Sequence, residues 1–199
     1  MSGTLPVLLL AAGAARRMRG ADKLLQEIDG VPLLRRSAEA ALSVSRRVFV
    51  TLPAPEGARG AALDGLDVTR VPVADRDLGM SASLRRGVAA LPSDAAGVMI
   101  LPADMPELTA EDLAALLAAF GAGDMPVQAT SAEGTPGHPV IFPASDFSAI
   151  AKLDGDQGAR PVLRAHGDAV RRIALPEERA LVDLDTPEDW AAWRAATRG

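Results

Sequence analysis

The stretch PVLLLAAGAARRMRGADKLL, Pro6 to Leu25, decides how the chain reads. Val7 to Ala11 is apolar at every residue, the pattern of a central parallel strand buried on both faces. Small residues follow, Ala12 to Ala15, and then Arg16, Arg17, Arg19, Gly20 and Lys23. A loop after such a strand sits at the carboxyl edge of the sheet, where open α/β folds bind ligands. Small residues let a backbone approach a ligand closely, while Arg and Lys offer phosphate a planar fork and a compact charge. The segment reads as a phosphate-binding loop. The plainer alternative is a βα turn whose arginines face solvent. A Walker A loop is excluded, because Gly13 and Gly20 are too far apart and Leu24 follows Lys23. A dinucleotide fingerprint is excluded too, because Ala14 and Ala15 follow Gly13 where a second glycine is needed.

Beyond this loop, short apolar runs alternate with helical patterns. Strands are expected at Val7–Ala11, Val48–Leu52, Val68–Val71, Val98–Leu101, Pro126–Thr130, Pro139–Phe142 and Val170–Ala174. Helices are expected near Leu33–Ser43, Ala82–Leu91, Ala110–Phe120, Gly158–Ala165 and Glu188–Ala196. Such alternation predicts an α/β fold, Rossmann-like and three-layered, with a mostly parallel sheet. Pro53 to Gly65 is rich in Ala, Gly and Pro and reads as a loosely specified helix or loop. Gly121 to Pro126 is a turn cluster. The 199 residues are expected to form one domain, with a nucleotide-binding half over about 1–120 and a substrate-facing half over about 121–199 sharing one sheet.

Composition narrows the function. A net charge of -5 argues against a nucleic-acid partner, and 3% aromatics without a tyrosine against a base-stacking platform. The absence of cysteine excludes disulfides, thiolate metal sites and cysteine nucleophiles. The N-terminal apolar run is too short for a membrane helix and leads straight into arginines, so a cytoplasmic protein with no membrane partner is expected.

Four further segments carry chemistry. In Asp77-Leu78-Gly79-Met80-Ser81-Ala82-Ser83, the glycine and serines open a helix, with Ser81 as the expected N-cap. Helix N-termini present free amides to anions, although capping alone would explain Ser81. In Leu101-Pro102-Ala103-Asp104-Met105-Pro106, an apolar strand runs into a carboxylate between prolines. Thr109 or Ala110 starts the next helix better than Asp104 does, so Asp104 is free to hold a divalent cation against phosphate oxygens. In Gly137-His138-Pro139, His138 sits at the lip of a strand, where a structural role is the alternative. In Val182-Asp183-Leu184-Asp185-Thr186-Pro187-Glu188, Thr186 is the N-cap and Pro187 the first helical residue, but capping leaves Asp185 unexplained. Alternation would place Asp183 and Asp185 on one face of a strand.

These strings, in this order, resemble the molybdenum cofactor cytidylyltransferases, within the molybdopterin-guanylyltransferase-like nucleotidyltransferase superfamily. Leu10, Ala11, Ala12, Gly13, Arg17, Met18 and Lys23 fit the signature L-A-A-G-x-x-x-R-M-x-x-x-x-K. The chain departs from it at Ala15, where the family often has Ser, and at Arg19, where it often has Gly. Gly79-Met80 with Ser83, Gly137-His138-Pro139 and the run Gly155-Asp156-Gln157-Gly158-Ala159-Arg160 resemble further segments of the cytidylyl branch. The resemblance implies transfer of CMP from CTP to the terminal phosphate of molybdenum-bound molybdopterin, with release of pyrophosphate. It implies nucleotide binding by Ala11, Ala12, Gly13, Arg17, Lys23, Gly79, Met80, Ser83 and Asp104, with Arg17, Lys23 and Asp104 catalytic. It implies acceptor binding at His138 and Asp156, and Mg²⁺ held by Asp104 and Asp185, with Asp183 as second choice. CTP, a molybdopterin-type acceptor and a recipient molybdoenzyme would be the partners. Guanylyl transfer in the same pathway, transfer to a sugar or polyol phosphate, and a non-enzymatic nucleotide-binding accessory protein remain open. The Ala11-Ala12-Gly13 loop and the Gly-His-Pro segment tilt against the guanylyl branch.

Overall fold

A computed structural model describes residues 5–13, 16–75, 79–121, 123–156 and 158–197. Ala14 and Ala15 of the first loop, Asp77, Leu78 and Gln157 lie outside the described residues. The first apolar run forms β1, Val7–Leu10, an interior strand of a seven-stranded sheet. β4, Val48–Leu52, and β6, Gly97–Pro102, flank it in parallel, and β5, Thr69–Pro72, extends β4 in parallel. On the other side β8, Pro136–Pro143, pairs antiparallel with both β6 and β7, Val127–Thr130. The five residues between β7 and β8 are too few for a parallel crossover, so the chain must turn back on itself. β9, Arg171–Ala174, closes the sheet parallel to β7. The expected α/β architecture with a mostly parallel sheet is what the chain adopts.

Period-two alternation along β1 explains the layers. Val7 and Leu9 pack on one face, in a cluster with Leu34 and Ala38 of α1, Leu33–Val44, and Leu113 and Leu116 of α4, Ala110–Phe120. Leu8 packs on the other, with Leu84 and Val88 of α3, Met80–Ala89, Ile150 of α5, Phe147–Ile150, and Val162 of α6, Arg160–His166. A third cluster joins Met18, Ile28 and Leu33 to Leu184 and Trp190, and so docks α7, Pro187–Thr197, beside the first loop. No helix of the described residues is long and apolar enough to cross a membrane.

Three expectations need correction. Residues 182–185 are not a strand; they form a loop held by the Leu184 amide, which donates to the Asp104 carbonyl at 3.1 Å. Ser81 is not the N-cap of α3. Gly79 caps it at φ +96°, and a Cβ there would overlap the Asp156 side chain and the Gly155 carbonyl. Ser81 is instead buried and donates its hydroxyl to the Gly155 carbonyl at 2.7 Å. His138 lies inside β8, which begins three residues before the expected strand. A short hairpin, β2, Glu27–Ile28, and β3, Val31–Pro32, was not anticipated. The stretch 53–65 contains one helical turn, α2, Ala58–Ala61.

Candidate functional site

The register of the central strands sets the site. Leu10 of β1 pairs with Pro102 of β6, so Ala11–Gly13 and Asp104 leave the sheet side by side at its carboxyl edge. The Ala103 amide donates to the Leu10 carbonyl at 3.2 Å and holds the two exits together. Lys23 starts a 3-10 turn, Lys23–Leu25, capped by Asp22, whose carboxylate accepts from the Leu24 amide at 3.0 Å. Asp185 is placed from the other end of the chain. The Thr186 hydroxyl accepts from the Asp189 amide at 3.1 Å, and the Asp189 carboxylate accepts from the Thr186 and Asp185 amides at 2.8 and 3.2 Å. This capping box fixes the start of α7 and the residue before it.

The result is an ion-paired cluster. Lys23 Nζ donates to Asp104 Oδ2 at 2.5 Å and to Asp185 Oδ1. Arg17 donates to Asp185 Oδ2 at 3.1 Å. Asp104, Asp183 and Asp185 each offer a carboxylate oxygen within 4.8 Å of the other two. Burial by itself would lower the Lys23 pKa, but Asp104 and Asp185 outweigh it and hold the ammonium above its ordinary value. Partial burial, and then the charges of Asp104 and Asp185, push the Asp183 carboxyl up. Three acidic oxygens at this spacing fit the donor set of a hard dication such as Mg²⁺ or Mn²⁺. Lys23 already provides part of the positive charge that such a cluster requires.

Beside this cluster opens a cavity of about 990 Å³. Of the residues expected to bind ligands, Ala11, Gly13, Lys23, Gly79, Met80, Ser83, Asp104, His138 and Asp156 line it. Ala12 is buried behind the loop. Arg17 and Asp185 pair outside the cavity lining, and Asp183, the second choice, takes the place at its wall. Arg160 and Arg164, one helical turn apart on α6, also line the cavity, although no role was expected for them. Met80 is half exposed at the cavity, whereas Ser83 is buried. His138 reaches the wall from β8. Its amide donates to the Ala180 carbonyl at 2.8 Å, and its Nδ1 is buried without a hydrogen-bond partner among the described residues. Burial holds the imidazole pKa below its ordinary 6.5, against the pull of Asp104 and with the push of Arg160. The ring is therefore neutral at pH 7. After Met18, Arg19 adopts φ +51° and Gly20 follows at φ +95°. Glycine enters that left-handed region without strain. Here Arg19 accepts it and pairs with Glu188 of α7 at 2.5 Å.

Residues 7–170 match the MobA-like NTP transferase domain. The chain belongs to this family. As a MobA-like NTP transferase domain it is a nucleotidyltransferase, an enzyme that takes a nucleoside triphosphate as substrate. It is 30% identical over 189 residues to a probable molybdenum cofactor guanylyltransferase of Natronomonas pharaonis, spanning 92% of this chain and 93% of that protein. Among solved structures, Rv0371c of Mycobacterium tuberculosis matches with a TM-score of 0.80 and 28% identity over 96% of this chain and 97% of its own. A manganese complex of Rv0371c matches at a TM-score of 0.75 and 26% identity, over 95% and 97%. A nucleotidyl transferase of Methanothermobacter, Mth528, matches at 0.79 and 25% identity, over 97% of each chain.

Proposed function

We propose that this MobA-like domain transfers CMP from CTP to the terminal phosphate of a molybdopterin-type acceptor and releases pyrophosphate. One observation carries the reading: a single cavity joins the Ala11–Gly13 loop, Lys23 and Gly79 to His138, Asp156 and Arg160, and includes Asp104. Donor and acceptor can thus meet at one carboxylate. A terminal phosphate has a second pKa of about 6 and is largely ionised at neutral pH, so no strong base is needed. Its oxygen would attack the α-phosphorus as the bond from that phosphorus to the bridging oxygen of pyrophosphate breaks. The obstacle is repulsion between anions, which fixed positive charge reduces. Lys23 and Arg17 would turn from their carboxylates to the β- and γ-phosphates and stabilise the departing pyrophosphate. Asp104, Asp183 and Asp185 would hold Mg²⁺ or Mn²⁺, which when bound supplies charge neutralisation at the phosphates. His138, neutral at pH 7, would line the acceptor side of the cavity without adding charge there.

The Ala-Ala-Gly loop and the Gly-His-Pro segment support cytidylyl transfer. The name of the Natronomonas relative favours guanylyl transfer. Thermal melts with CTP, GTP, ATP and UTP in the presence of Mg²⁺ separate the two, because a ligand of the folded state raises its stability by mass action. CTP is expected to stabilise most. Equal or greater stabilisation by GTP replaces the reading with guanylyl transfer. Pyrophosphate release with molybdopterin but not with sugar phosphates then fixes the acceptor class.

A further inference from the structure

A charged side chain that the sequence left in a loose Ala/Gly/Pro stretch lies inside the protein. Arg59, on the single helical turn of α2, is 6% exposed. Its guanidinium has five N–H donors, and four are used. Nε and one terminal nitrogen form a fork on Asp22, at 2.7 Å to Oδ2 and 2.9 Å to Oδ1. The other terminal nitrogen donates to the Ala11 carbonyl at 2.6 Å and the Gly13 carbonyl at 2.8 Å. The two ends of the segment from Ala11 to Lys23 are thus stapled at one planar group.

The staple has a directional consequence. In a trans peptide the carbonyl and the following N–H point opposite ways. With the Ala11 carbonyl turned to Arg59, the Ala12 N–H points away from it. No acceptor among the described residues meets the Ala12 or Gly13 amide. At the other end, the Asp22 carboxylate that grips Arg59 also caps the turn from which Lys23 reaches Asp104. A charge is buried at a cost unless it is paired and hydrogen-bonded, and here the pairing is spent on loop geometry.

We propose that Arg59 is a positioning residue for the nucleotide: it holds the loop amides and Lys23 in the mutual arrangement that receives a triphosphate. The proposal rests on reading Ala11–Gly13 and Lys23 as the triphosphate-binding loop. A preformed loop has less freedom to lose on binding, so disturbing the staple should cost affinity.

The test uses the full chain and two variants. Arg59→Lys keeps the buried charge but not the fork. Asp22→Asn keeps the size of the side chain and the oxygen that caps Leu24. For each, dissociation constants for CTP and for GTP with Mg²⁺ are measured by calorimetry, beside melting temperature without nucleotide. Both variants are expected to bind the nucleotide preferred by the wild type about tenfold more weakly or worse, the scale of one charge-assisted hydrogen bond. The double variant should be little worse than Arg59→Lys, because the pair acts as one unit. Melting temperatures that fall while affinity stays within about twofold of wild type would reduce Arg59 to a stabilising residue and overturn the proposal. Wild-type protein that binds neither nucleotide would overturn the loop reading itself, and the proposal with it.

Discussion

Lys23 Nζ lies 2.5 Å from Asp104 Oδ2, although 81 residues separate the two in the chain. The same ammonium donates to Asp185, 162 residues away. Two ionised carboxylates at one sheet edge repel each other unless a cation sits between them. In the protein alone, that cation is a lysine of the chain itself. Lys23 therefore has two tasks that exclude each other in time: counter-ion to the acidic cluster, and ligand of the phosphates in the proposed reaction.

Replacing Lys23 by Met separates these tasks. Transfer should fall by about 10²-fold or more, the scale for losing one preorganised charge in a transition state. The stabilisation that Mn²⁺ gives to the fold should rise above the wild-type value, because no ammonium competes for the carboxylates. Melts across a Mn²⁺ titration, run beside pyrophosphate release, check both. An unchanged Mn²⁺ response would mean that the metal goes elsewhere.

Asp183 gives a prediction of its own. Its folded pKa is raised above 3.8 by partial burial and by its acidic neighbours. The folded state then holds the proton more tightly than the unfolded state, so stability falls as pH rises from 3.8 through the folded value. Asp183→Asn should melt higher than wild type at pH 7 without metal, and this gain should vanish below pH 3.8. Mn²⁺ should stabilise the variant less than it stabilises wild type. A pH-independent difference would show that the acidic crowding does not matter.

The sequence made the sheet legible because its central strands are continuous apolar runs, and β4 and α4 have the expected limits. Lys23 and Asp104 were legible because each follows a strong strand or motif. The Lys23–Asp185 ion pair was not, since it depends on α7 docking through Trp190 and Leu184 onto Met18. No local pattern encodes that contact. Arg59 was hidden for a similar reason: its partners Ala11, Gly13 and Asp22 lie between 37 and 48 residues away. The β2–β3 hairpin could have been read. Asp29-Gly30 is a strong turn signal, and both residues take positive φ as such a turn demands. Ser81 misled because serine favours N-caps, yet only glycine fits where Asp156 and Gly155 crowd the helix start.

His138 should make stability acid-sensitive. Burial holds its folded pKa below 6.5, so the unfolded state binds the proton more readily, and stability falls as pH drops from 6.5 through the folded value. His138→Gln should lose less stability over that window. At pH 7, where the ring is neutral, the variant should raise the acceptor KM and leave nucleotide affinity nearly unchanged. A matching pH profile in the two proteins would remove the buried imidazole as the cause, and a loss of nucleotide affinity would move His138 out of the acceptor side.

Asp104 and Asp185 allow a cycle whose coupling has opposite signs in two readouts. If the carboxylates hold one metal between them, Asp104→Asn or Asp185→Asn alone should abolish metal-dependent transfer. The double variant should then be little worse than either, since a unit already broken cannot be broken again. Metal-free stability should behave otherwise. The Lys23 side chain is only 14% exposed, and after one substitution it still pairs with the remaining carboxylate. The second substitution removes the last direct negative charge and leaves a largely buried ammonium with only neutral amide oxygens to accept from it, a loss of about 1–3 kcal/mol, the scale of a charge-assisted hydrogen bond. The double variant should thus lose more stability than the two singles added together. Turnover and chemical denaturation of all four proteins measure the cycle. Additive losses in turnover would remove the shared metal site. Additive losses in stability would mean that Lys23 finds another partner, with Asp183 the nearest candidate in the cluster.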